Sequence, residues 1–243
     1  MEGGGGVELH FAVASDGHYG EPGTDYQFRF STLVNALNRA TKANRLDFVV
    51  INGDISHGGL ASARQAKLAL DGLQVPYFVT QGNHDELTAA EWERVWGAPG
   101  NQLHRFGERS IVALNTSNAA GDYLCPNQAW LAEALRSEAA QSDVFVFFHI
   151  TAANWTKHGI DCPAVRKLLA EAGNVRAVFN GHDHDQVARK DDAGLPYFFD
   201  GHFGGSWGAA ELTYRDVVVA EGTLTTRLLT LDDSVLSSTS LNW

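Results

Sequence analysis

The sequence predicts an α/β fold with mixed sheets. Three observations predict it. Short apolar runs alternate with stretches of helical periodicity through most of the chain. Five of those runs stop abruptly and are followed at once by His, Asp or Asn. Beyond residue 186 the period becomes two, as in hairpins. In open α/β sheets ligands gather beyond the carboxyl ends of the strands. The five polar endings are therefore the candidate site.

Taken in order, Leu9-His10-Phe11-Ala12-Val13-Ala14-Ser15 alternates and reads as the first strand, with His10 an ordinary strand residue. It ends at Asp16-Gly17-His18. Phe30, Leu33, Val34 and Leu37 fall at helical spacing and predict a helix over residues 26–42. Phe48-Val49-Val50-Ile51 is wholly apolar, as in a buried parallel strand, and ends at Asn52-Gly53-Asp54. A helix over 61–72 follows. Val75-Pro76-Tyr77-Phe78-Val79 is the third strand, with Pro76 at its start, where a missing donor is tolerated. It leads to Gly82-Asn83-His84-Asp85.

Thr88-x-x-Glu91 is a capping box for a short helix carrying Trp92, Val95 and Trp96 on one side. A hairpin pairs 102–106 with 110–115 around Gly107-Glu108. Asn127 caps a helix running to about residue 141. Val144-Phe145-Val146-Phe147-Phe148 is a strand that ends at His149. Pro163 suits the first turn of a helix ending near Gly173. Val175-Arg176-Ala177-Val178-Phe179 then runs into Gly181-His182-Asp183-His184. Strands over 186–190, 196–200, 216–220 and 225–231 complete the chain, with turns at Ala193-Gly194 and Glu221-Gly222. Gly204-Gly205-Ser206-Trp207-Gly208 reads as an irregular turn. The expected organisation is a flexible lead over 1–8 and a single domain over 9–243.

Net charge is −11, with 18 basic and 29 acidic side chains, which argues against nucleic acid or an anionic membrane as a bulk partner. A bound cation pair would reverse that sign locally, so a small phosphate ester stays open as substrate. No apolar stretch approaches the ~20 residues of a membrane span. Met1-Glu2-Gly3-Gly4-Gly5-Gly6 lacks the basic and apolar regions of a signal peptide. Cys125 and Cys162 read most plainly as reduced thiols. The sharper reading is a disulfide between two loops near the site, which would imply an oxidising compartment. Localisation therefore stays open between the cytoplasm and, after removal of a signal, the periplasm or exterior.

Asp16, His18, Asp54, Asn83, His149, His182 and His184 supply two carboxylates, one amide and four imidazoles. A two-metal hydrolase needs such mixed oxygen and nitrogen donors around both ions. The ordered series Asp16-x-His18, Gly53-Asp54, Gly82-Asn83-His84-Asp85, His149 and Gly181-His182-x-His184 resembles the calcineurin-like metallophosphoesterase superfamily. Within it, the chain looks most like the branch of class III cyclic nucleotide phosphodiesterases and glycerophosphodiesterases. The resemblance covers roughly residues 9–202. It implies a four-layer α-β-β-α sandwich. It implies one metal on Asp16, His18, Asp54 and His184, a second on Asp54, Asn83, His149 and His182, and Asp54 as the bridge. Many relatives carry His-His-x-Pro where this chain has Phe148-His149-Ile150-Thr151, so the following loop should differ.

The implied chemistry is phosphodiester hydrolysis by in-line attack of a hydroxide held between the two ions. His84 would give a proton to the leaving group, with Asp85 holding its other nitrogen. Mixed N/O donors without thiolate suit Mn, Fe, Zn, Co or Ni. Substrate contacts are sought at Trp155 and Lys157 on the loop after His149, and at His57, His202 and Tyr19; each also has a plain reading as a loop or packing residue. A phosphomonoesterase using the same site is the alternative function. A non-catalytic protein-binding scaffold of the same fold is a more distant one.

Overall fold

The computed structural model describes residues 8–243. All of the expected lead except Glu8 lies outside the described residues. Two six-stranded mixed sheets are packed face to face. The first runs in the order β12-β11-β10-β1-β2-β3, formed by Val235–Asn242, Thr223–Thr230, Thr213–Ala220, Leu9–Ala14, Phe48–Asn52 and Tyr77–Thr80. The second runs β4-β5-β6-β7-β9-β8, formed by Gln102–Phe106, Arg109–Leu114, Asp143–Phe148, Val175–Asn180, Leu195–Phe199 and Arg189–Asp192. The helices are α1 (Tyr26–Asn44), α2 (Gly59–Leu70), α3 (Ala89–Trp96), α4 (Gln128–Ser137) and α5 (Pro163–Glu171).

Strand periodicity sorts the core into three layers. Phe11, Val13, Phe48 and Val50 point inward and meet Phe145, Phe147 and Phe179 of the opposite sheet. Phe11 stacks on Phe48 with centroids 5.0 Å apart, and Phe147 on Phe179 at 4.9 Å. Their odd-and-even neighbours point the other way. Ala12, Ala14, Val49 and Ile51 pack under Phe30, Leu33 and Leu37 of α1, Ala63 and Ala66 of α2, and Trp92 of α3. Val144, Val146 and Phe148 pack under Leu131 and Leu135 of α4 and Val165 and Leu169 of α5. Helices therefore cover both outer faces and give the α-β-β-α order. Strands buried on both faces must be apolar at every position, which is why β2 and β6 show no alternation.

Thr88 caps α3 in a reciprocal capping box, and the Asn127 side chain accepts from the Trp130 backbone to cap α4. Ala193-Gly194 and Glu221-Gly222 both carry positive φ, as a two-residue hairpin turn demands. The boundaries differ from expectation in several places. Helix α2 starts at Gly59, two residues before the expected 61, and α4 stops at Ser137 rather than 141. β8 is Arg189–Asp192 rather than 186–190, because Gln186 turns back onto the Asp183 carbonyl. β12 was not foreseen: Ser237-Ser238-Thr239-Ser240 lacks an apolar alternation, and the strand is held as an edge by its ladder to β11. Cys125 and Cys162 form a disulfide, which overturns the reading of two free thiols. No helix among the described residues is long and apolar enough to cross a membrane.

Candidate metal centre

β1, β2 and β3 run parallel, as do β6 and β7, so their carboxyl ends open on one edge of the sandwich. The chain turns sharply there. Asp16, His18, Asp54 and His182 all adopt left-handed backbone conformations, with φ of 59°, 48°, 47° and 70°. Non-glycine residues rarely do so, and such strain persists where the surroundings over-determine it. Backbone bonds supply the constraint. Asp16 N–H donates to Gly53 O at 3.1 Å, and His18 N–H to Asp54 O at 2.9 Å. His182 N–H crosses to Asp16 Oδ2 at 2.9 Å and ties the second sheet to the first. Two glycines are required by proximity. A Cβ on Gly53, itself at φ +84°, would strike the His149 ring, and one on Gly82 would strike the Asp54 carboxylate.

Six of the seven predicted donors fall into two groups. Ligand atoms of Asp16, His18 and His184 lie within 4.8 Å of one another, as do those of Asp54, His149 and His182. Asp54 Oδ2 is 3.1 Å from His149 Nε2 and 3.8 Å from His18 Nε2, so it stands between the two groups. Asp16 Oδ1 is 3.1 Å from His184 Nε2 and 3.7 Å from His149 Nε2. His18 Nε2 and His184 Nε2 face each other at 3.1 Å. Three buried donor atoms, Asn83 Oδ1, His149 Nε2 and His182 Nε2, have no hydrogen-bond partner. Orphaned buried polar atoms are costly. His149 Nε2 and His182 Nε2 lie together with Asp54, and Asn83 precedes the residue whose backbone N–H binds Asp54 Oδ1, which fits a cation pair on the predicted residues.

The ring orientations also fit. His149 Nδ1 pairs with Asn52 O at 2.8 Å, and His184 Nδ1 with Trp207 O at 3.0 Å. A carbonyl at Nδ1 places the proton there and leaves the Nε2 lone pair aimed at the centre. Burial holds His18 down at about 3 and His182 at about 4, keeping both imidazoles neutral. Burial would raise Asp16 and Asp54, but the neighbouring imidazoles hold both carboxyls well below the ordinary range. For His149, burial is outweighed by Asp54 and Asp16, which raise it to about 10 in the metal-free protein. An incoming cation must displace that proton.

The remaining predicted residues divide. The half-buried His84 ring stands 5.0 Å from the His18 ring, and the His84 backbone N–H donates to Asp54 Oδ1 at 2.7 Å. Asp85 does not hold it. The Asp85 carboxylate accepts from Ser56 N and Oγ at 2.8 and 2.9 Å and from Gly82 N at 2.8 Å, so it clamps the β2 and β3 loops together. Burial, with help from the Asp54 charge, raises it to about 7. His57 does reach the site, stacked on His84 with centroids 4.8 Å apart. His202 lies buried behind His184 at 4.6 Å, and both its ring nitrogens face the backbone carbonyls of Gly204 and Ala209. Tyr19 is buried against Tyr26 and Phe30, and Trp155 packs on Tyr197 under the second sheet; neither is placed to touch a substrate. Lys157 is exposed, between Thr156, which donates to Asp183, and His158, whose ring lies 5.8 Å from that of His182.

Two aromatics at the centre were not assigned from sequence. Trp207, in the supposed irregular turn, stacks flat on His184 at 4.5 Å and meets the His18 ring edge-on at 4.7 Å, yet is 43% exposed. Tyr123 stands perpendicular to His182 at 4.7 Å and is 39% exposed. Each thus borders a different histidine cluster and still faces solvent. The only signal for Trp207 was a large aromatic among glycines; Tyr123 carried none except its position two residues before Cys125.

The calcineurin-like phosphoesterase family model matches residues 9–186. Among solved structures, the chain is similar to a dimetal phosphatase from Danio rerio, at 14% identity and a TM-score of 0.72, covering 97% of this chain and 99% of that one. It is also similar to GAP50, the anchor in the inner membrane complex of Plasmodium, at 13% identity and a TM-score of 0.71, covering 98% and 89%. Zinc-complexed Vps29 from Entamoeba histolytica aligns at 14% identity and a TM-score of 0.53, covering 96% and 99%. At such identities these likenesses establish the fold alone. No curated protein matches the sequence.

Proposed function

Because this chain belongs to the calcineurin-like phosphoesterase family, we propose that it hydrolyses phosphodiesters at a paired-cation site. Asp16, His18, Asp54 and His184 would hold one ion. Asp54, Asn83, His149 and His182 would hold the other. Mn, Fe, Zn, Co and Ni all suit these donors. Such a pair supplies Lewis acidity and an activated water.

The chain's own residues do the rest. Asp54 sets the spacing between the two clusters. The Nδ1 carbonyl partners of His149 and His184 lock those rings so that no reorganisation is needed when charge develops. His84, at the rim beside His18, donates a proton to the departing oxygen. Trp207 offers apolar surface beside His184 and His18, and Tyr123 offers it beside His182 in the other cluster. That last observation carries the diester reading, because a diester presents an organic substituent on each side of phosphorus, whereas a monoester presents one. The resemblance to the class III cyclic nucleotide phosphodiesterase and glycerophosphodiesterase branch supports the same reading.

Phosphomonoester hydrolysis at the same residues is the alternative. A monoester dianion wants extra cationic donors, and Lys157, on the loop after His149, is exposed. A scaffold role would resemble that of GAP50, described as an anchor; the complete donor set and the presence of His84 support catalysis instead. After loading with each metal in turn, bis(p-nitrophenyl) phosphate should be turned over faster than p-nitrophenyl phosphate. The reverse order would make the protein a phosphatase, and a metal-replete, folded protein inert on both would favour the scaffold.

A further inference from the structure

His57 lies three residues beyond Asp54, and its ring is the third member of a histidine group with His18 and His84. We propose that His57 is a positioning residue for the first cation cluster: its Nδ1 accepts the Nδ1 proton of His18 and so turns the His18 Nε2 lone pair into that cluster. The inference rests on the ligand role given above to His18.

A cation on His18 Nε2 leaves one proton arrangement at its other nitrogen. His18 Nε2 points inward, 3.1 Å from His184 Nε2 and 3.8 Å from Asp54 Oδ2. His18 Nδ1 points the other way, 3.2 Å from His57 Nδ1. A neutral imidazole carries one proton. If Nε2 is to bind a cation, the proton sits on Nδ1, and only an acceptor can face it. His57 must then offer its Nδ1 lone pair and carry its own proton on Nε2. His149 and His184 find their acceptors in the backbone, at Asn52 O and Trp207 O. His18 finds its acceptor in a side chain.

The backbone holds this contact in register. His18 N–H donates to Asp54 O, Tyr19 N–H to Ile55 O, and His57 N–H to Tyr19 O, each at 2.9 Å. The loops after β1 and β2 are thereby zipped together. The far face of His57 is covered by His84, stacked at 4.8 Å with planes 16° apart. His57 cannot swing away from His18 without breaking that stack. A third cation on the His18–His57–His84 group is the competing use of the same atoms. It would require His18 to bind through both nitrogens and lose its proton entirely.

The test is metal binding to the purified full-length protein. Affinity and stoichiometry for Mn²⁺ or Zn²⁺ are read by competition with a chromophoric chelator and by elemental analysis after dialysis. Wild type should hold two ions. His57→Ala should weaken one of the two by about 10–100-fold, as for other partners of ligating histidines. His57→Asn places an amide oxygen where Nδ1 stands and should recover most of the loss. His57→Lys, a donor only, should not. Should the alanine variant fold poorly, the Asn and Lys variants still decide, because packing loss alone would not rank an acceptor above a donor. Wild-type affinity in His57→Ala, or equal affinity in the Asn and Lys variants, would overturn the proposal. So would a third bound ion that the alanine change abolishes. A wild type that binds neither ion would instead remove the cation site itself.

Discussion

Asp54 reaches toward both histidine clusters. Its Oδ2 faces His149 and His18, while its Oδ1 takes the His84 backbone N–H. Asp54→Ala should therefore abolish binding of both ions and hydrolysis together; a variant that keeps full activity would refute the bridging assignment. His84 is different. It belongs to neither of the two clusters that contain a carboxylate, and it is half-buried. His84→Ala should keep the wild-type metal content and lose roughly 10²-fold or more in turnover, the usual loss for a general acid. Loss of metal in that variant, measured by elemental analysis, would show that the residue holds the site rather than serving the leaving group. Asp85 makes the opposite point. It lies next to His84 in sequence, yet its three hydrogen bonds go to Ser56 and Gly82.

Among the elements, the loops around β6 and β7 carry the less expected features. The disulfide joins Cys125, after the loop that bears Tyr123, to Cys162, at the foot of the loop that bears Thr156 and His158. Both loops border His182, through Tyr123 at 4.7 Å and His158 at 5.8 Å. The bond closes a sequence separation of 37 residues. In the chain-entropy account a loop of that size is worth about 4 kcal/mol, with typical values of about 2–4 kcal/mol. Cys125→Ser should lower urea stability by about that much, and thiol reduction of wild type should reproduce the change. Equal unfolding midpoints for oxidised and reduced protein would show that the staple is energetically idle.

At the scale of the molecule, the first sheet is fastened at its middle by a buried ion pair remote from the metal centre. His10 on β1 meets Asp216 on β10 at 2.6 Å, and its other ring nitrogen faces Asn44 O at 3.0 Å. Two acceptors on one imidazole call for a doubly protonated ring. Burial opposes that charge, but Asp216 outweighs it and raises His10 above the ordinary histidine value of 6.5. Asp216 is likewise held below 3.8, because bonds from His10 and Arg227 outweigh its burial. The stabilisation from His10 is complete below 6.5 and is lost as pH rises through its raised folded value; that from Asp216 is present above 3.8 and lost as pH falls through its lowered one. Thermal stability of wild type should exceed that of His10→Gln most in the window between those two values. The gap should narrow as the pH is raised through the folded titration of His10. A gap constant across that range would dismiss the charged pair.

The linear chain determined the class of fold, the order of the strands up to residue 180, and six His and Asp residues that the fold brings into two groups. These are local signals: an apolar run with both faces buried, a turn that tolerates only glycine, a polar side chain just beyond it. Period and punctuation record them directly. The tertiary structure alone decided which side chains share a contact across long separations. It took Asp85 from His84 and gave it to Ser56, moved Tyr19 and Trp155 into packing, and brought Trp207 against His184 and Tyr123 against His182. It also paired Cys125 with Cys162 and set a polar strand, β12, on the sheet edge. Such outcomes depend on how two sheets and their loops close on one another, and no residue's immediate neighbours carry that information.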